Sequence, residues 1–318
     1  MSNFELKNQA LARFFCFLWY NSIVMWLLIT AVAYFLNAIA AVVDKFLISK
    51  KISNPAVYAF AISALGLLGL VLIPWGFDWI GWRNFSIVLV AGVSFTCALL
   101  HLFKGLAVNE SSRITPFIGG LSPIFVFLFS FFLLGERLAG RQLFAFILII
   151  IGTVFISLGQ SGKKNLARGF WYAGISALMF GISYTLTKLA YNNLSFINGF
   201  VWLRITTFIG GLFLLYSATN RRDVFHPSEK TVKKAGPLFL FGQVAGAASF
   251  LLINYAISIS SVTIVNALQG LQYVFLLVMI LILARWRPRI LEEKLRGIVL
   301  AQKISAIVLI GAGLYLLV

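Results

Sequence analysis

The residues best suited to bind a small solute lie in an apolar stretch late in the chain, residues 262–284. Asn266, Gln269, Gln272 and Tyr273 fall at helical spacing on one face of this stretch. Three amides and a phenol offer both hydrogen-bond donors and acceptors. We interpret them as a substrate-facing stripe, because polar groups inside a membrane span normally face a wet cavity or protein. Hydrogen bonding between helices is the alternative.

Other apolar stretches carry four further candidates for substrate binding. Gln243 and Asn254 are eleven residues apart and so lie nearly on one helical face. They could line a cavity or serve packing. Ser183 and Tyr184 add hydroxyl groups that could line the same path or bond their own helix.

His101 is a candidate for moving protons, because a histidine changes its charge near neutral pH. Proton coupling of transport is therefore one hypothesis. The alternative is a helix end, at which His101 packs beside Lys104 while the lysine snorkels to the membrane interface.

Four of the charged residues at or inside the apolar stretches are further candidates for a role. Arg204 suits a carboxylate or phosphate ligand, although it could also snorkel. Asp44 shares a face with Asn37 and could neutralise Lys188 or gate a cavity; a solvated helix terminus is the alternative. We interpret Glu136 as a structural cap or loop clasp.

The sequence contains no His-Glu-x-x-His, phosphate-binding glycine loop or Ser-His-Asp arrangement, and His226 stands alone. Cys16 and Cys97 lie in separate apolar surroundings, which indicates neither a disulfide nor a metal site. We therefore predict that the protein is not an enzyme and uses no cofactor or metal.

Composition indicates an integral membrane protein. Hydrophobic residues make up 61% and charged residues 11%, with a mean hydropathy of +0.96, whereas soluble domains carry about 25% charged residues. The net charge of +17 does not require nucleic acid. Lys and Arg in the loops of such a protein anchor it at lipid headgroups. The expected partners are the lipid bilayer and a small-molecule substrate.

A short tail, residues 1–22, precedes the first apolar run, and within it Leu11–Tyr20 could lie at the membrane interface. Each of the ten apolar runs that follow this tail is long enough to cross the membrane as a helix. The short connections leave no room for a catalytic domain outside the membrane. The ten predicted runs are 23–47, 55–77, 84–106, 112–134, 140–160, 168–190, 196–218, 235–257, 262–284 and 297–317.

Short motifs recur after about 145 residues, which predicts two homologous halves, residues 23–160 and 161–318. The matched pairs are Ser111-Ser112 with Ser260-Ser261, Gly120-Leu121 with Gly270-Leu271, and Val43–Leu47 with Leu186–Ala190.

The first half also contains Gly-Leu-Ser-Pro at Gly120–Pro123, Leu-Gly-Glu at Leu134–Glu136, and Gly152 near the end of the following run. With the serine-rich entry, these motifs make the chain resemble the drug/metabolite transporter superfamily, in particular its EamA-type ten-helix transporters. The resemblance implies inverted repeats around a central cavity, and small organic solutes, amino acids among them, as substrates. The second half departs from the pattern, since Gln272 or Tyr273 stands where Pro123 does.

The orientation is predicted differently by charge and by resemblance. Loops after odd-numbered runs carry eighteen Lys and Arg residues and the other side carries six, which puts both termini outside. The resemblance implies both termini in the cytoplasm, and we follow it.

We therefore predict an all-α integral membrane protein with ten transmembrane helices in two inverted five-helix repeats, located in the cell (plasma) membrane. Its expected function is secondary transport, with export of small polar metabolites such as amino acids by alternating access. The alternative is a membrane protein that flips or presents a lipid-linked substrate, or a scaffold that assembles with a partner.

Overall fold

The computed structural model describes residues 25–44, 54–109, 111–157, 166–225, 229–286 and 298–317. In these ranges the ordered elements are all helical and no β-strand occurs. The tail of residues 1–22, with its predicted interfacial stretch, lies outside them.

The helices follow the predicted apolar runs closely. The bounds are α1 Met25–Asp44, α2 Pro55–Leu65 with a 3₁₀ continuation Gly66–Trp75, α3 Gly81–Val108, α4 Ser111–Leu134, α5 Gly140–Ser157, α6 Leu166–Tyr191, α7 Phe196–Leu214, α8 Ala218–Phe225, α9 Glu229–Ile259, α10 Val262–Ala267, α11 Gly270–Trp286 and α12 Ile298–Leu317.

Six stretches are long and apolar enough to cross a membrane, which confirms an all-helical integral membrane protein. They are Met25–Asp44, Pro55–Trp75, Gly81–Val108, Ile114–Leu134, Phe196–Leu214 and Pro237–Ile259. Shorter apolar stretches occupy Gly140–Phe155, Val262–Leu276 and Ile304–Leu317. α6 has the length of a span, but serines, threonines and charged residues interrupt its apolar character. Ten spans in two inverted repeats stay a prediction.

The second apolar run does not remain an α-helix throughout. α2 begins where the Asn54 side chain accepts a 3.0 Å hydrogen bond from the Ala56 N–H, a normal N-cap. From Gly66 onward the segment tightens into a 3₁₀ helix that contains Pro74. A Cβ on Gly69 would lie 2.9 Å from Cγ of Arg204, so the absence of a side chain lets α7 pack close at this point.

The ninth run is divided into α10 and α11 by a turn at Leu268 and Gln269. Gly270 follows the turn and packs against α5, where a Cβ would lie 2.7 Å from Oγ1 of Thr153. Two short helices joined by a turn therefore occupy this part of the chain instead of one continuous helix.

α3 and α7 pack with their backbones close together. A Cβ on Gly92 would lie 2.5 Å from the backbone of Thr206, and one on Gly210 would lie 2.8 Å from Oγ1 of Thr96. Hydrogen bonds reinforce the contact: Thr96 Oγ1 donates to the Thr207 carbonyl at 2.8 Å, and Thr206 Oγ1 donates to a carbonyl of α3 at 2.9 Å. Small residues and hydroxyl groups of this kind drive helix association in membranes. They fix α7, and with it the residues α7 presents to the interior.

Candidate functional site

A cavity of about 360 Å³ lies inside the helix bundle, a size that suits a small organic molecule. α1, α2 with its 3₁₀ continuation, α3, α4, α6, α7, α9 and α11 contribute to its wall, which is mostly apolar. The polar lining residues are Asn37, Asp44, Thr115, Tyr184, Arg204, Gln243, Ser249, Gln269 and Gln272.

The cavity extends towards one end of the bundle, which we call the Asp44 end. Asp44 is the last residue of α1, and it accepts a hydrogen bond from the Tyr58 hydroxyl in α2. Leu106 in the last turn of α3 and Thr115 in the first turns of α4 also line the cavity. α1 and α3 end here and α4 begins here, so the described lining residues reach the helix termini on this side.

The other end of the bundle, where α4, α6 and α9 finish, is closed; we call it the Glu136 end. A cluster of buried side chains from α1, α4, α6, α9 and α10 fills it. Tyr34 donates a 2.8 Å hydrogen bond to the Val265 carbonyl within this cluster. Lys188 donates from Nζ to the carbonyls of Ile257 and Ser258, at 2.9 and 3.3 Å, in the last turn of α9. The terminal carbonyls of α9 thereby gain a cationic donor.

Arg204 lines the cavity from the middle of α7. Its side chain is buried, with 7% exposure, and its guanidinium carbon lies 3.6 Å from the centre of the Phe250 ring. Phe200 and Phe95 lie farther off, at 5.4 and 5.8 Å. Nε and Nη2 have no hydrogen-bond partner among the described residues. Snorkelling does not describe this arrangement, because the charge is held inside the bundle.

The amides Gln269 and Gln272 line the cavity beside the break between α10 and α11. Gln272 accepts a 3.2 Å hydrogen bond from the Asn37 side chain in α1, which joins the early and late parts of the chain across the cavity. Gln243 in α9 is a third amide in the wall. Together these groups can donate to and accept from a polar solute.

Two members of the expected stripe lie elsewhere. Asn266 is buried before the break and donates a 2.9 Å hydrogen bond to the Val262 carbonyl of its own helix. Tyr273 packs against Gly119, and its hydroxyl donates to the Thr115 carbonyl at 2.7 Å. Both therefore make contacts between or within helices, and the structure does not place them among the lining residues.

Of the remaining candidates, one lines the cavity and two are buried among the helices. Tyr184 lines the cavity and stacks on Phe180, with ring centres 5.8 Å apart. Asn254 is fully buried between α6 and α9, where it accepts from the Tyr191 hydroxyl at 3.0 Å. Ser183 is buried in α6 and does not appear in the cavity wall.

His101 lies outside the cavity wall, on the α3 face towards α6. Its Nδ1 is 2.8 Å from the Cys97 carbonyl, and its ring is 6.1 Å from that of Tyr172. Lys104, one turn later, lies 5.9 Å from the same Tyr172 ring. A histidine in this position has no direct contact with a solute in the cavity.

Several lining residues were left out of the predicted set. Arg204 had a usable signal, since it is a single charge in the middle of an apolar run, and Asn37 and Asp44 shared a recognisable face. Ser249 and the phenylalanines beside the guanidinium gave no such signal, because serine and phenylalanine are common throughout membrane helices. Within the described ranges no group of three or more His, Cys, Asp or Glu side chains forms a metal site.

Comparison with known proteins agrees with this architecture. Residues 22–158 match the model of the EamA-like transporter family. No curated protein matches the sequence. A solved crystal structure superposes with a TM-score of 0.68 over 92% of this chain and 96% of its own, at 16% identity. At that identity the likeness shows the fold alone.

The motifs quoted from the first half of the sequence, Gly120–Pro123, Leu134–Glu136 and Gly152, all fall inside the matched range. The six membrane-spanning helices agree with a multi-pass protein. Residues 22–158 of this integral multi-pass membrane protein are therefore similar to the EamA-like transporter family.

Proposed function

We propose that the protein is a secondary transporter of small polar metabolites such as amino acids, with export as the direction that the resemblance implies. The cavity carries the proposal: apolar walls enclose a few polar groups deep within a membrane protein. Asn37, Asp44 and Thr115 come from the early part of the chain, and Arg204, Gln243 and Gln269 come from the late part. A solute held here would contact both parts at once.

The proposal includes two five-helix repeats, residues 23–160 and 161–318, that move against each other. Pairs of contacts support it. In the proposed repeats α1 corresponds to α6, and α4 corresponds to α11. α4 packs on α6, and α11 likewise contacts α1, through a hydrogen bond between Gln272 and Asn37 and a ring contact between Phe275 and Phe35. α3 corresponds to α9 in the same way. α3 packs on α6, and α9 packs on α1, where Gly242 lies against Val43.

Alternating access requires that one end of the cavity be closed while the other is reached. The Glu136 end is filled by packed side chains, whereas the lining reaches the helix termini at the Asp44 end. The transport cycle would then separate the contacts at the Glu136 end and close the Asp44 end around Tyr58 and Phe103.

The test is uptake by proteoliposomes that contain the purified protein, with a panel of radiolabelled amino acids, other carboxylic acids, amines and sugars. The panel is measured with and without an imposed proton gradient. We expect saturable flux of at least one polar metabolite above protein-free liposomes. Absence of flux for the whole panel, in protein shown to be folded, would contradict the proposal.

A further inference from the structure

We infer that Arg204 is a substrate-binding residue and that the substrate carries a carboxylate group. The inference rests on the proposed function and names the chemical class that the cavity selects.

The first argument is that the Arg204 guanidinium is buried without an anionic partner. Its side chain is 7% exposed, and Nε and Nη2 have no hydrogen-bond partner in the described part of the chain. Burying a charged group in a protein interior without hydrogen bonds costs roughly several kcal/mol of free energy. A group retained at that cost inside a cavity is best explained by a ligand that supplies the missing acceptors.

The aromatic contact does not supply them. The Phe250 ring, 3.6 Å from the guanidinium carbon, covers one face of the cation and stabilises it by about 2 kcal/mol. A ring face offers no lone pair to the N–H groups, which point outward in the guanidinium plane. Phe250 therefore holds the plane in place and leaves its edge for an oxygen ligand.

The stem of Arg204 is held as well. It runs past Gly66 and Gly69, where an added Cβ would lie 3.4 Å from Nη1 and 2.9 Å from Cγ. α7 itself is tied to α3 through Thr206 and Thr207. An arginine fixed in this way loses little conformational freedom when it binds a ligand, which favours a specific planar contact.

A second buried group without a partner lies in the same wall. Ser249 precedes Phe250 on α9, lines the cavity, and has no hydrogen-bond partner for Oγ among the described residues. Arg204 and Ser249 thus leave donors unused in a cavity whose other polar lining groups are amides, hydroxyls and the Asp44 carboxylate.

The charge of the lining favours a carboxylate over a phosphate. Among the described lining residues Arg204 is the one basic side chain and Asp44 the one acidic side chain. A phosphate carries close to two negative charges at neutral pH, which one arginine would neutralise only in part, and the same wall contains the Asp44 carboxylate, which would repel it. A carboxylate carries one charge and matches the guanidinium with two parallel hydrogen bonds.

The test uses ligand pairs that differ only in the carboxylate. Phenylacetate is compared with phenylacetamide, and L-phenylalanine with L-phenylalaninamide, while benzylphosphonate tests a dianion. Binding to the purified full-length protein is measured by calorimetry, and flux in proteoliposomes is measured with the same probes and with the neutral and cationic members of the metabolite panel. We expect the wild-type protein to bind the carboxylate of at least one pair about tenfold or more tightly than its amide.

Arg204→Gln should remove that preference, and Arg204→Lys should restore it in part, because a lysine keeps the charge without the planar fork. Arg221→Gln, an exposed arginine on α8, is the matched control and should bind as wild type does. If Arg204→Gln does not fold, two measurements still test the inference. The wild-type protein should prefer the carboxylate to its amide, and Arg204→Lys should keep part of that preference.

Flux of amines or sugars without any preference for carboxylates would overturn this inference and leave the transporter proposal intact. A folded Arg204→Gln variant that still prefers the carboxylate to its amide would likewise overturn this inference and leave the transporter proposal intact. Absence of flux for every solute would overturn the transporter proposal itself, and this inference with it.

Discussion

Thr263 in α10 and Glu136 after α4 are joined by a 2.9 Å hydrogen bond from the threonine hydroxyl to the carboxylate. The Thr263 oxygen also lies 2.7 Å from the hydroxyl of Ser130 in α4. Residues 127 positions apart thus meet at the closed end of the cavity. Glu136 acts there as a clasp between the early and late parts of the chain.

Thr263→Val should weaken the closed end, because the exchange keeps the shape but leaves Ser130 and Glu136 without this partner. We expect the free energy of unfolding to fall by about 1 kcal/mol, measured by denaturant titration in detergent micelles. Thr30→Val is the control, since the equally buried Thr30 donates to the Trp26 carbonyl of its own helix and has no other partner in the described part of the chain. Equal losses in the two variants would show that the clasp contributes nothing.

Lys188→Met should loosen the same end by another route. The lysine is the cationic donor to the Ile257 and Ser258 carbonyls, and methionine keeps its length but not its hydrogen bonds. We expect a loss of about 1 kcal/mol in thermal unfolding, with partial recovery in Lys188→Arg. Arg221→Met removes an exposed charge and should have no effect on unfolding. A melting temperature unchanged in Lys188→Met would rule out this contribution.

Gln269→Leu should abolish substrate flux and leave the protein folded. The amide lines the cavity, and leucine has similar volume but neither donor nor acceptor. Flux in proteoliposomes measures the function, and size-exclusion chromatography with thermal unfolding measures the fold. Asn193→Leu, which removes an exposed amide in the turn after α6, is the control and should transport normally. Normal flux in Gln269→Leu would remove this residue from the binding site.

Gly92→Ala should be strongly destabilising, because its new methyl group would meet the backbone of Thr206, which cannot rotate away as a flexible side chain does. We expect a loss of about 2 kcal/mol or more, or a shift of α7 that carries Arg204 with it and lowers flux. Gly174→Ala in α6 is the matched control, since nothing lies within 4 Å of its added Cβ. Alanine favours helix over glycine, so Gly174→Ala should unfold at the wild-type temperature or slightly above it. Equal behaviour of the two variants would contradict close packing of α3 on α7.

The ninth apolar run shows how much of the candidate site can be recognised in the sequence and how much depends on the tertiary structure. The run itself and its amides were recognisable, and Gln269 and Gln272 lie in the cavity wall. The structure places Asn266 and Tyr273 in contacts between or within helices, and a turn at Leu268 and Gln269 interrupts the helix after Asn266. The turn lies next to Gly270, whose close contact with Thr153 of α5 is a long-range feature.

The hydrophobic runs alone determined that this chain is a helical integral membrane protein, because backbone groups in lipid must be satisfied within each span. The motifs of the first half were enough to indicate the EamA-like family. Only the tertiary structure decided which polar side chains meet in a cavity and which serve packing. Arg204 shows the physical reason: its sequence neighbours are compatible with snorkelling or with ligand binding. The ring of Phe250 on another helix, and the absence of a described hydrogen-bond partner for Nε and Nη2, distinguish the two.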